Sequence, residues 1–498
     1  MLFNSGQFLV FFPIVVLMYF VLPKKIKNIW LLISSYYFYM CWNAKYIVLI
    51  FTSTVITWLS GIAMERIKQT DKSLEDKVKL KKMVVAASFI TNIGLLGYFK
   101  YTNFFLDIIS RVFARVNIDL NIPTFDILLP VGISFYTFQA LSYTMDVYRE
   151  DIYAEKNFLQ YALFVSFFPQ LVAGPIERSK NLLKQLAVPK KFSYDNLRKG
   201  LLLMLWGYFL KIVIADRAAV FVDAAFDNLD EYGGWYAIVA IIIFAAQIYC
   251  DFYGYSVIAM GASKILGIDL MENFDTPFLQ TTISGFWKGW HVSLTSWFRD
   301  YLYIPLGGNK KGKVRKDINI LIVFTVSGLW HGASLTYVLW GAINGLYQVI
   351  ADILMPIRKR ICTFFELDRK SLGHKIAMIL GTDILFLFSL VMFRAKSLTH
   401  AMQAYSTIFK ANNPWILFDG SLYNLGLNSK NMNLLLFCIF VLLFADICKK
   451  KQIKISEVVL KQNMWCRVLF VSVSIVFILI FGIWGPEYDA ANFIYFQF

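Results

Sequence analysis

The sequence predicts an all-α polytopic membrane protein, with about 11 transmembrane helices plus re-entrant or interfacial helices around a central tunnel. Three observations carry that reading. Of 498 residues, 58% are hydrophobic, 17% aromatic and only 16% charged, whereas soluble proteins carry roughly 25% charged residues. Apolar runs recur at lengths near the roughly 20 residues that cross a bilayer. The basic residues behind the formal charge of +16 gather in short segments between those runs, the usual topological bias of membrane proteins. That distribution argues against nucleic acid as the partner of the positive charge and for the lipid bilayer. No internal repeat, long linker or soluble catalytic module interrupts the pattern, so residues 1–498 read as a single membrane domain.

Taken in order, Phe8–Leu22 is the first apolar run. It has no basic segment before it and no small-residue cleavage site after it, so it reads as a retained span. The basic stretches are PKKIKN (23–28), ERIKQTDKSLEDKVKLKK (65–82), ERSKNLLKQLAVPKK (177–191), NKKGKVRK (309–316), IRKRI (357–361) and KKKQIK (449–454). Assigned to the cytoplasm, they place both termini outside, because Phe8–Leu22 runs into the first and Val468–Ile483 leads away from the last. The number of crossings is then odd. Cys41, Cys250, Cys362, Cys438, Cys448 and Cys466 form no CxxC pair and have no histidine at ligand spacing. Disulfides and metal sites are therefore not expected.

The segment SGLWHGAS (327–334) sets an imidazole between the apolar runs Ile318–Val326 and Leu335–Ile350. An ionisable group there is costly and is by default a functional candidate. The flanking basic stretches are both cytoplasmic on the scheme above, and the roughly 33 apolar residues between them are too many for one span and few for two. A hairpin results, with His331 at its apex, about 20 Å of helical rise from Ile318. Gly328 and Gly332 bracket the apex, and glycine permits a turn there. Non-helical backbone at that depth is tolerated where it is buried in protein or lines a wet cavity.

A second histidine lies in SGFWKGWHVSLTSWFRDYLYIPLGG (284–308). Wound as one helix, Phe286, Trp287, Trp290, Leu294, Trp297, Phe298 and Tyr301 fall on one side. Ser284, Lys288, Thr295, Ser296, Arg299 and Asp300 fall on the other, with His291 at the border. This predicts an amphipathic interfacial helix on the cytoplasmic side, ending at Pro305 and Gly307–Gly308. Each feature also has an ordinary reading: such helices commonly serve as surface anchors, and a membrane histidine can be polar glue between spans. Two Trp-His pairs 40 residues apart, Trp290-His291 and Trp330-His331, weigh toward chemistry. His374 and His400 lie in polar, loop-like sequence and are not expected to act directly.

With those residues in view, FWKGWHVSLTSWFRDYLYIPLGGNKKG followed by SGLWHGASLTYVLWGAINGL resembles the membrane-bound O-acyltransferase family, and within it the bacterial branch of polysaccharide O-acetylation. MLFNSGQFLVFFPIVVLMYFVLP, SSYYFYMCWN, LLPVGISFYTFQALSYTMDVYR, FFPQLVAGPIERSKNLLKQL, FRAKSLTHAM and the terminal FIYFQF extend the resemblance over most of the chain. It implies an O-acyltransferase in the plasma membrane of a bacterium, with His331 as principal catalytic residue and His291 at the second polar position. Trp330, Ser327, Trp287, Trp290 and Asp300 are expected to support the pair or line the tunnel. The resemblance further implies an acyl thioester co-substrate, acetyl-CoA or an acyl carrier protein, with no tightly bound cofactor. It also implies an extracytoplasmic partner acyltransferase that modifies a polysaccharide.

The chemistry is consistent with the residue types. Neutral imidazole suits proton removal from a hydroxyl near pH 7, and apolar burial favours the neutral form. Lys288, Arg299 and the 309–316 stretch are candidates for donor phosphates, or are ordinary positive-inside anchors. Ser327 and Ser334 are available as acyl acceptors, but nothing singles them out. D-alanyl transfer to teichoic acid from a carrier protein remains open beside acetyl transfer. A transporter or flippase is the rival from another class, although repeated halves would be expected of it. A scaffold that recruits an export complex would not need the histidines.

Overall fold

Every long apolar run forms a helix, as a chain in lipid must satisfy its backbone hydrogen bonds within the segment. The computed structural model describes residues 1–118, 125, 129–172 and 174–483, and contains helices and no strand among them. The FIYFQF motif at 493–498 lies outside the described residues, as do Leu128 and Ala173 of two other quoted motifs. Contacts group the chain into two compact units, Met1–Leu201 with Ala259–Met271, and Leu202–Ile258 with Glu272–Phe498.

The first unit opens with α1 (Gly6–Val21) and α2 (Lys24–Met40), then α3 (Ile47–Lys68), α4 (Leu74–Ala114) and α5 (Ile133–Tyr148). Ser5 caps α1 by accepting from Phe8 N, the side-chain role that favours serine at this position. Short α6 (Phe158–Ser166), α7 (Phe168–Leu171) and α8 (Ser179–Leu186) follow, and α9 (Tyr194–Tyr208) leads into the second unit. The charged run at 65–82 is mostly helical rather than a loop: only residues 69–73 separate α3 from α4. At 41 residues, α4 is about 60 Å long, roughly twice the hydrocarbon thickness, so its polar first turns extend beyond the lipid. Small and polar residues join these helices, as is usual between membrane helices. Ser53 Oγ donates to Asn92 Oδ1 at 2.5 Å, and Tyr161 Oη donates to Thr57 Oγ1 at 2.7 Å.

The second unit contains α10 (Asp216–Asp227), α11 (Trp235–Ile265), α12 (Ile283–Gly289), α13 (Val292–Phe298), α14 (Lys313–His331) and α15 (Leu335–Phe364). It continues with α16 (Leu372–Arg394), α17 (Leu398–Phe409), α18 (Ser429–Lys450), α19 (Ile455–Lys461) and α20 (Met464–Phe481). Among the described residues, seven helices are long and apolar enough to cross a membrane: α3, α4, α11, α15, α16, α18 and α20. The apolar α1 is shorter, at 16 residues. α11 is the most enclosed of the spans, which explains its departure from uniform apolarity: it carries Asp251, Tyr255 and Ser256 in its buried middle.

Asp251 belongs to an ionic cluster. Lys211 Nζ, fully buried in the π-helical turn Phe209–Ala215, lies 2.9 Å from Asp216 and 2.5 Å from Asp251. A cation in this setting requires such partners, because an unpaired buried charge is expensive. Nearby in sequence, Tyr249 Oη donates to Asp446 at 3.0 Å and so ties α11 to α18.

Candidate active site

The hairpin expected around His331 is present. α14 ends at His331, Gly332 turns the chain in an extended conformation, and Ser334 caps α15 by accepting from Thr336 N. The two helices then pack closely over their length. Gly328 contributes differently from its expected part in the turn: it is helical, and its face lies against α15. A Cβ added at Gly328 would collide with the Tyr337 carbonyl, and one at Gly341 would collide with the Phe324 carbonyl and lie 3.0 Å from Gly328 Cα. Glycine at these two positions allows the backbones to touch, the small-residue mode of membrane helix packing. The signal was available in Gly341-Ala-Ile-Asn-Gly345, a GxxxG spacing.

The 284–308 stretch departs from the single amphipathic helix. It forms two short helices, α12 and α13, with the chain bent between them at Trp290-His291, and then a π-helical turn over Arg299–Tyr303. His291 has φ 45° and ψ 54°, a left-handed conformation uncommon for a residue with a side chain. The helical wheel failed because it assumed continuous winding through this residue. Nor does the apolar side face lipid: Phe286, Trp287, Trp290, Leu294, Trp297 and Phe298 are all buried in protein. The helical winding stops at Tyr303, just before Pro305 and the Gly307–Gly308 pair where the sequence placed its end, and both glycines have positive φ.

These two irregularities bring the histidines together. The His291 and His331 rings are 6.5 Å apart between centroids, and the residues are 2% and 5% exposed. Aromatic rings enclose them. Trp340 meets His331 edge-on at 5.2 Å and Phe393 of α16 does so at 5.7 Å. Phe252 of α11 lies 4.6 Å from His291, and Trp330 lies 6.0 Å from it. Trp287 packs on Trp340 at 5.7 Å, while Trp290 stacks on Phe286 and contacts Phe386 at 5.3 Å. Two indole groups bear on the chemistry: Nε1 of Trp287 and Nε1 of Trp340 are buried without a hydrogen-bond partner among the described residues. A buried donor left this way is unusual and can serve a polar atom brought to the site. Trp340, Phe393 and Phe252 were not picked out from sequence, where an aromatic in a span looks like ordinary core.

The remaining candidates are dispersed. Ser327 is half-buried on α14, and Lys288 and Arg299 are exposed. Asp300 pairs with Arg299 at 2.8 Å. His400 is held in a structural bond, its Nε2 2.9 Å from the Phe226 carbonyl. The described cleft of about 570 Å³ is lined entirely by the first unit, with Lys68, Lys81, Lys180 and Lys184 among its walls, so it is not a tunnel at His331. Glu150 also lines it, its carboxyl pulled down to about 2 by hydrogen bonds from Lys81 and Lys68.

Comparison with known proteins is consistent with this geometry. The model of the membrane-bound O-acyltransferase family matches residues 152–392, a range that contains both histidines. A probable alginate O-acetylase AlgI of Pseudomonas syringae is 34% identical, over 82% of this chain and 75% of its own length. A peptidoglycan O-acetyltransferase of Helicobacter pylori is also 34% identical, over 70% of this chain and 69% of its own. A teichoic acid D-alanyltransferase of Streptococcus thermophilus is 29% identical, over 55% of this chain and 68% of its own.

Proposed function

This chain belongs to the membrane-bound O-acyltransferase family, and from that premise we propose that it takes an acetyl group from cytoplasmic acetyl-CoA and passes it across the bacterial plasma membrane for O-acetylation of an extracellular or cell-wall polysaccharide. Both termini then lie outside the cell, and an extracytoplasmic partner acyltransferase completes delivery to the polymer. The observation that carries this reading is the convergence of two buried imidazoles, 6.5 Å apart, from segments 40 residues apart in sequence.

His331 acts as general base. An acceptor hydroxyl attacks the thioester carbonyl carbon while the neutral imidazole takes its proton. The C–S bond breaks, the ester forms, and the departing sulfur leaves as a thiol with the proton the imidazole held. His291 orients the donor or stabilises the charge that develops on the carbonyl oxygen. The indole N–H groups of Trp287 and Trp340 are the further donors such an oxyanion would meet, and preorganised donors are worth most where water is excluded. Lys288, Arg299 and the lysines of 309–316 draw the donor's phosphates toward the membrane.

The test measures labelled acetyl transfer from acetyl-CoA to polymer, in membranes matched for inserted protein. His331→Ala should lose about 10²-fold or more, the usual contribution of a general base, and His291→Ala should lose a smaller factor. Unchanged transfer in His331→Ala at normal insertion would return the protein to the transporter or scaffold class. Offering a D-alanyl carrier protein in parallel separates the aminoacyl reading. The greater identity and coverage of the O-acetylating relatives, 34% over 82% against 29% over 55% of this chain, favour acetyl.

A further inference from the structure

The left-handed turn at His291 is held from outside its own helices, and the holding residue is not among those the reaction uses. Residues 273–276 run alongside 289–293. Asp275 N donates to the Gly289 carbonyl at 2.8 Å, and Val292 N donates to the Asn273 carbonyl at 2.9 Å. The Asn273 side chain completes the bracket: its Oδ1 accepts from Ser293 N at 3.4 Å and its Nδ2 donates to Ser256 Oγ at 2.8 Å. Asn273 is 1% exposed and Ser256 is fully buried.

Ser256 sits one helical turn beyond Phe252 on α11, and residues at that spacing share a face. Phe252 is the ring that meets His291 at 4.6 Å. One side of α11 therefore touches the imidazole directly and, through Asn273, the backbone immediately after it. Thr276, at the other end of the bracket, is also left-handed, with φ 44°. Two residues with side chains in this conformation, one in each of the two paired stretches, are kept there by the bonds around them. Such outliers persist when the surroundings over-determine them.

Resting on the assignment of His291 to the reaction, we propose that Asn273 is the positioning residue for His291, tying the backbone after it to α11 so that the imidazole is presented to His331. Asn273 does not touch substrate. It acts through the angle at which one short segment leaves another, and a displacement of about 1 Å at reacting groups is enough for a large loss of rate.

The experiment is a double-mutant cycle on acetyl transfer, with Asn273→Ala, His291→Ala and the pair, each matched for inserted protein. Asn273→Ala should lower kcat about 10-fold with the KM for acetyl-CoA within about twofold. In the His291→Ala background it should cause no further loss, since two residues acting as one unit are not additive. Ser256→Ala, which removes one bond and leaves the Asn273 acceptors in place, should lower kcat by a smaller factor and serves where Asn273→Ala inserts poorly. Wild-type kcat in Asn273→Ala, or losses that multiply in the pair, would overturn the proposal while leaving His291 in the reaction. Wild-type transfer in His291→Ala would overturn the functional assignment of His291 and this proposal with it.

Discussion

Consider adding one methyl group at Gly341. The residue lies on α15, seven positions after its cap Ser334, and it contacts no substrate in the proposed reaction. Its Cβ would collide with the Phe324 carbonyl oxygen and would stand 3.0 Å from both the N and the Cα of Gly328. Ordinary carbon contacts are near 3.5–4.0 Å, so α14 and α15 must part by at least about half an ångström. All three atoms are backbone, so no rotamer change relieves the clash. Overpacking of this kind costs about 1–3 kcal/mol, which a large hairpin can absorb. The separation is transmitted to the end of α14, where His331 sits. If about 1 Å of misplacement costs about 10²-fold, half of it should cost about 10-fold in kcat. The assay is acetyl transfer per inserted molecule, with Gly381→Ala as the control, because a Cβ there meets nothing within 4 Å. Wild-type kcat in Gly341→Ala, or an equal loss in Gly381→Ala, would refute the inference that helix approach sets the position of the base.

Two further outcomes follow from buried polar groups. Lys211→Met leaves the Asp216 and Asp251 carboxylates facing each other without their cation, and breaking a buried pair costs about 3–5 kcal/mol. The yield of inserted, monodisperse protein should fall sharply and recover in part when Asp251→Asn is added; normal yield in Lys211→Met would contradict the ionic assignment. Trp340→Phe keeps a ring against His331 and removes the Nε1 donor. Loss of one oxyanion donor can cost about 10²–10³-fold in kcat, so kcat should drop at normal insertion, and an unchanged kcat would remove Trp340 from the set of donors.

How much of this was legible beforehand depends on whether the backbone was regular. The spans α3, α11, α15, α16, α18 and α20 follow from apolar length alone, since lipid leaves the chain no other way to satisfy its amides. The α14–α15 hairpin was legible too, because its length, its basic flanks and the glycine at its apex agree. The 284–308 stretch was misread at one residue. Helical periodicity assigns faces only while the winding continues, and nothing in the composition of Gly-Trp-His-Val marks His291 as left-handed. Asn273 was invisible for a related reason: its importance comes from bonds to backbone 19 and 20 residues away, which leave no periodic trace. The aromatics around the pair were visible as aromatics but not as a wall, because Phe252, Trp340 and Phe393 come from three separate spans.

The same irregularities bear on which class of function the site serves. Polar glue between spans calls for histidines on regular helices, where any neighbouring carbonyl will do. Here one imidazole ends a helix at a glycine turn, and the other occupies a left-handed residue that costs roughly 1–2 kcal/mol relative to the right-handed form. Gly328 and Gly341 draw α14 against α15 on one side, and Asn273 fixes the turn on the other. A scaffold would shed that backbone strain by placing glycine at 291. His291→Gly separates the two cases, because it relieves the backbone while deleting the ring. The relief is offset by the packing lost with the buried ring, so transfer is the readout: a scaffold should keep its function, whereas an acyltransferase should lose transfer. The strained turn is therefore best explained by the ring it presents, and its loss with no effect on transfer would leave the turn without that explanation.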